Sequence, residues 1–186
     1  MSDQVVHGFT RSATGRIVLR IDDLERGLLS SLLEQLMEIL QPEDREVGDP
    51  LQDLVGIDAH AEPPSDDVLA RLLPDAYSDD LEAAADFRRF TERGLRQDKI
   101  AHARQALDSL AASGAKVTVS PDQAHSWLLA LTDLRLALGT RLGVSEDNHD
   151  ELIARAEQDP QASAIHVYDW LTYLAETLVR CLQSED

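Results

Sequence analysis

Between Ser120 and Gly143 apolar residues recur on two sides of a helix. Trp127, Leu131, Leu134 and Leu138 follow steps of three and four, while Leu129 and Leu136 fall roughly opposite them at about 100° per residue. Ser120-Pro121-Asp122-Gln123 predicts the start of that helix: a Ser N-cap, Pro at the first helical position and Gln at the third to close a capping box. A helix that is apolar on two faces belongs in the middle of a bundle, or it presents one face to a second copy. The bundle is the preferred reading, and a homodimer is the alternative. Further on, Val167, Trp170, Leu171, Leu174, Leu178, Cys181 and Leu182 line one broad face after Pro160, which predicts a last helix packed on the central one.

Toward the N-terminus the period changes from helical to alternating. Val5 to Phe9 and Arg16 to Ile21 read as two short strands of a hairpin, with the turn supplied by Thr10 to Gly15. Asp22 with Glu25 forms another capping box, and Leu24, Leu28, Leu32, Leu36 and Leu40 predict a helix over about 23–40, stopped by Pro42. The chain from Gln41 to Pro64 reads as an acidic connector with one short turn at 51–55. Ser65-Asp66-Asp67 caps a short helix ended by Pro74. Leu81 to Ala112 is helical, and because Phe87, Phe90, Leu95, Ile100, Leu107 and Leu110 share no narrow stripe, it is expected to break or kink near Gly94 into two helices. Lys116 to Val119 is a short strand. The segments 17–25 and 116–123 echo each other as strand, cap and Leu-rich helix, so their strands are candidates to share a small sheet.

These elements define a mainly α fold, a helical bundle with a small N-terminal β-hairpin or three-stranded β appendage. At 186 residues and 43% hydrophobic, the chain fits a single mostly helical domain. No run of about 18 apolar residues occurs, and the first residues lack the pattern of a signal peptide, so a cytoplasmic protein without a membrane span is expected. Cys181 is the single cysteine, which excludes an intramolecular disulfide and reads as a packed thiol on the last helix.

The net charge of -18 argues against direct nucleic-acid binding, and its distribution is uneven. Fourteen acids stand against Arg45 and Arg71 between Gln41 and Asp86. From Asp86 to Arg104, six bases stand against three acids. Arg88, Arg89, Arg93, Arg96 and Lys99 in this basic island are candidates to dock an acidic partner; the competing reading is a solvated helix face neutralised by the chain's own acids.

The sequence carries no phosphate loop, nucleophile elbow, dinucleotide fingerprint or metalloprotease motif, which argues against an enzyme and calls for no cofactor. Its six histidines are scattered; Asp98 with His102 and Asp122 with His125 are pairs of a kind that chance supplies. Ser145 to Glu151 is acidic but lacks the alternating ligands and Gly turn of a calcium loop, so it reads as a helix start and not a metal site. No tight helix pair with a basic second helix is present either.

Three blocks add what residue chemistry alone does not. Arg71-Leu72-Leu73-Pro74-Asp75-Ala76-Tyr77, Trp127 to Gly139 ending in Arg135-Leu136-Ala137-Leu138-Gly139, and Val167-Tyr168-Asp169-Trp170-Leu171 resemble, in order and spacing, an actinobacterial domain-of-unknown-function family with AosR-like members, whose genes often lie beside that of the Clp adaptor ClpS. The resemblance implies a cytoplasmic, non-enzymatic regulatory interaction protein, tied to transcriptional control of the oxidative-stress response and of cysteine-biosynthesis genes through the transcription machinery, with RNA polymerase or a sigma factor as partner. The gene neighbourhood implies an alternative, an accessory or adaptor factor of the Clp protease. A small-ligand or metal-binding helical bundle is a second alternative. No catalytic residues come with the resemblance, and a cysteine-pair switch has only Cys181 to draw on. Within the blocks, Trp127, Arg135, Asp169 and Trp170 are expected to be structural, with Arg135 and Asp169 linking the central and last helices through a partly buried ion pair or hydrogen bond.

Overall fold

The structure, a computed structural model, describes residues 7–42, 63–77, 79–112, 116–158 and 163–183. Strands β1 (Gly8–Arg11) and β2 (Ile17–Arg20) precede helix α1 (Asp23–Leu40). They are followed by α2 (Asp67–Leu72), α3 (Leu81–Ala111), β3 (Lys116–Val119), α4 (Pro121–Leu142), α5 (His149–Gln158) and α6 (Ala164–Gln183). The chain is mainly α with a small three-stranded antiparallel sheet in the order β1-β2-β3.

Local chemistry sets the helix ends. Asp22 caps α1 and Ser120 caps α4, each through the complete box: the side chain accepts from the third residue's N–H while Glu25 or Gln123 reaches back to the cap's own N–H. Helix α4 ends at Gly143, whose φ of 63° closes the last turn, with the Val144 N–H donating to the Gly139 carbonyl at 2.9 Å.

Helix α4 is the centre of the bundle and packs against α1, α2, α3 and α6. Trp127, Ala130 and Leu131 are fully buried, and Leu138 on the same side and Leu136 on the other are packed against the same core. The two apolar faces are thus both used within one chain. The echoed segments do share a sheet: β2 pairs with β3 antiparallel, Leu19 opposite Val117 and Ile17 opposite Val119. Phe9 extends the Leu19–Val117 row, so one face of the sheet is continuous apolar surface laid on the core.

The hairpin turn is shorter than its sequence predicts. Thr10 and Arg11 belong to β1, opposite Val18 and Ile17, and the reversal is confined to Ser12–Arg16, where Gly15 takes a φ of 78°. Val5 and Val6, the stretch 43–62 of the acidic connector, and Pro160 lie outside the described residues.

Helix α3 overturns the expected break at Gly94, since it runs unbroken for 31 residues. Glu92 accepts from Arg88 four residues before it and from Arg96 four residues after it, at 2.7 and 2.9 Å, so an ion-pair ladder braces the turns on both sides of Gly94. A glycine inside a helix costs about 1 kcal/mol but keeps its N–H in the ladder. The missing single stripe has another cause: α3 carries one apolar face toward the core and a second, aromatic one toward solvent.

Gly8 shows where close packing demands glycine. Its φ is 96°, and a Cβ there would lie 3.0 Å from Tyr173 Cε1 and 3.2 Å from Thr177 Oγ1, where β1 docks on α6. Gly8→Ala is expected to cost about 1–3 kcal/mol. Gly94→Ala, on a helical backbone with nothing within 4 Å, should stabilise by about 0.5–1 kcal/mol. Urea unfolding of the two variants checks the contrast.

Candidate functional site

Helix α3 holds the basic island, and the structure divides it. Arg88 is buried, at 7% exposure: its Nη2 donates to Asp75 at 2.6 Å and to the Leu73 carbonyl at 3.1 Å, and its Nη1 to Glu92 at 2.7 Å. Arg96 bonds Glu92 and also the Leu40 carbonyl at 3.3 Å, satisfying a bare carbonyl at the C-terminus of α1. Lys99 reaches Asp133 on α4 at 2.6 Å. These three cations hold α1, α2 and α4 to α3. Arg89, 3.7 Å from Asp86, and Arg93 remain toward the surface.

The acids in these links respond differently to burial. Desolvation pushes Glu92 up, but hydrogen bonds and charge from Arg88 and Arg96 outweigh it and hold the carboxyl below the usual range. For Asp133, desolvation wins over Lys99 and the carboxyl lies above its usual range.

Opposite the buried face of α3 lies a surface that charge reading passed over. Phe87 is 47% exposed and Phe90 62%, with Tyr77 standing edge-on to Phe87 at 6.1 Å between ring centroids. Beside them a cleft of about 230 Å³ is walled by Leu73, Pro74, Ala84, Phe87 and Leu95, with Arg88 at its floor. The Arg88 Nε–H is buried and, among the described residues, has no hydrogen-bond partner. The signal was present in the sequence: at about 100° per residue, Phe90 falls opposite Arg88, Ala103, Ala106 and Leu110, and Phe87 falls at the edge between the two faces.

The residues expected to be structural occupy two places. Trp127 is fully buried in the core, its Nε1–H donating to Ser109 Oγ at 2.9 Å and its ring edge-on to Phe9 at 5.6 Å. Trp170 packs against the core with its Nε1 buried and without a hydrogen-bond partner among the described residues. Arg135 and Asp169 take other partners than each other: Arg135 Nε donates to Thr172 Oγ1 at 2.9 Å, and Asp169 Oδ1 lies 2.7 Å from His149 Nε2.

Cys181 is buried, and desolvation raises its thiol above the ordinary range in spite of Arg11 and Arg180 nearby. His102 and His125 lie edge to face at 6.3 Å between helices α3 and α4. Among the described residues no three His, Cys, Asp or Glu side chains gather as metal ligands, and no helix is long and apolar enough to cross a membrane.

Among the described residues, six helices and a three-stranded sheet packed around α4 define a mainly helical class of protein. The chain belongs to a family described as a domain of unknown function (DUF2017), whose model matches residues 6–182. It is 33% identical over 173 residues to the oxidative stress regulator AosR of Mycobacterium tuberculosis, covering 85% of this chain and 78% of that protein. A Mycobacterium leprae protein also called AosR is 34% identical over 177 residues, covering 86% and 79%. No solved structure matches.

Proposed function

We propose that this chain is a non-enzymatic, cytoplasmic regulator of the oxidative-stress response that works by docking a protein of the transcription machinery, RNA polymerase or a sigma factor, on the aromatic face of α3. The relatives' name supports the regulatory part of this reading. The observation that carries the docking part is the exposure of Phe87 and Phe90 beside Tyr77. Exposed aromatic side chains flanked by arginine are the composition of interface centres, and they cost solubility unless something covers them. A protein partner fits better than nucleic acid, because Arg88, Arg96 and Lys99 are spent on internal acids and the chain's net charge is -18.

The test is a crosslinking pull-down from peroxide-stressed lysate with wild type, Phe87→Ala/Phe90→Ala and Arg89→Glu/Arg93→Glu. Arg88 stays untouched, since replacing it would perturb folding. Wild type is expected to enrich polymerase or a sigma factor, with recovery falling about tenfold or more in the aromatic variant and melting temperature nearly unchanged. Capture of the Clp chaperone alone, of a second copy alone, or of equal polymerase by the aromatic variant overturns the reading.

A further inference from the structure

A second concavity, of about 460 Å³, opens where α4, α5 and α6 meet. Its lining includes members of two of the three sequence blocks that carry the family resemblance, Arg135 from one and Tyr168 and Asp169 from the other, with His149 from the start of α5 and Thr172 on α6. Its central group is the Arg135 guanidinium, fixed from two sides. The Nε–H donates to Thr172 Oγ1 at 2.9 Å, and the Thr172 hydroxyl donates in turn to the Tyr168 carbonyl at 2.9 Å, so the threonine is oriented to accept. The guanidinium also lies 5.6 Å from the centroid of the Tyr168 ring. That ring is seated against Gly139, where a Cβ would come within 3.1 Å of Cε2.

Holding an arginine by its Nε and its flat face leaves the outer edge, with both Nη groups, for another acceptor. Among the described residues neither Nη group has a hydrogen-bond partner. Asp169, the acid on the same wall, is engaged by His149 at 2.7 Å. Glu146 stands exposed on the rim. An arginine pre-oriented in this way, with its fork open into a cleft, matches a planar carboxylate, which accepts two parallel N–H bonds.

From this geometry we infer that the cleft is a carboxylate-binding site, with Arg135 as the bidentate anchor and Thr172 and Tyr168 as its positioning residues. One fixed cation faces two acids of the chain itself, Glu146 and Asp169, so a monoanionic carboxylate suits the site better than a dianionic phosphate. The carboxylate comes either from a small free acid or from the C-terminus of a peptide, and both present the same group to Arg135. The site does not depend on the aromatic face of α3.

Amide and Arg Nε NMR titrations at neutral pH and constant ionic strength test this with four probes: acetate, inorganic phosphate, N-acetyl-triglycine with a free C-terminus, and its C-terminal amide. For wild type, saturable shifts centred on Arg135 Nε–H and Thr172 are expected with acetate or the free-acid peptide, in the range of about 1 mM or weaker for acetate. A preference for the peptide acid over acetate assigns the peptide source, and the reverse assigns the small acid. Arg135→Gln should abolish saturation, and Arg135→Lys should weaken it about tenfold because the fork is lost while the charge remains. Thr172→Val keeps the guanidinium but removes its anchor and should weaken binding several-fold, which guards against a folding defect in the Arg135 variants. Shifts that never saturate, persist in Arg135→Gln, occur equally with the peptide amide, or are stronger with phosphate overturn the assignment.

Discussion

Replacing Trp127 with alanine is expected to cost about 3–5 kcal/mol of folding stability, the largest effect of any single change considered for this chain. The indole is fully buried on the central helix, touches Phe9 of the sheet, and its N–H is satisfied by Ser109 of α3. Deleting it therefore opens a cavity at the point where three elements meet. It also leaves the Ser109 hydroxyl with only its bond to the Ala106 carbonyl. Ser109→Ala isolates the polar part: it removes the acceptor and strands a buried N–H, for about 1–3 kcal/mol. Urea unfolding followed by Trp127 fluorescence reads the serine variant. Circular dichroism reads the alanine one, and a loss under about 1 kcal/mol for Trp127→Ala would contradict its place in the core.

The second large effect lies in the ion network of α3. Arg88→Ala removes the group that joins Asp75, Glu92 and the Leu73 carbonyl, and it is expected to cost about 2–4 kcal/mol, less than for fully enclosed pairs because Asp75 still reaches water. The same network predicts how stability follows pH. Glu92 has a folded pKa below its unfolded one, so its contribution is complete above the unfolded carboxylate range and is lost as pH falls through the folded value. Asp133 has the opposite sign. Its folded pKa is raised, so it opposes folding at neutral pH, and that cost is relieved as pH falls through the folded value toward the unfolded one. Acidification from about pH 7 should therefore first lift or hold the melting temperature and then lower it below about pH 4. In Arg88→Ala the acid limb should be shallower, because Glu92 has lost one of its two arginines. Melting curves between about pH 7 and about pH 3 measure both limbs, and an unchanged acid limb in the variant would contradict the role given to Glu92.

Much of the fold is legible in the chain because the signals are short-ranged. The limits of α1, β3 and α4 follow from Asp22, Ser120 and Gly143, each satisfying backbone groups within a few residues of itself. The pairing of β2 with β3 was legible only as a repeated pattern, since the ladder joins residues about a hundred positions apart. The break expected at Gly94 shows where local reasoning fails. Phe87 and Phe90 look like core residues off their stripe, but they lie on the solvent face of an unbroken helix.

The candidate sites were less legible than the fold. Five basic residues read either as a docking face or as a helix face neutralised by the chain's own acids, and Arg88, Arg96 and Lys99 turn toward Asp75, Glu92, Leu40 and Asp133. In the cleft between α4, α5 and α6, the expected link between Arg135 and Asp169 gives way to other partners, Thr172 and His149. A sequence gives helical phase to within a residue or so, but it does not say which neighbouring carbonyl or carboxylate lies within reach.

By itself, then, the sequence determined the mainly helical class, the capped boundaries of its principal elements, the central position of the helix beginning at Pro121 and the family to which the chain belongs. The first three depend on periodicity and on hydrogen bonds closed within a single turn, while the family rests on the resemblance of its sequence blocks. Tertiary structure alone decided which arginines are structural and that Arg135 presents an open fork. Each of those outcomes is set by the balance between desolvating a side chain and the partners that other, distant segments bring to it.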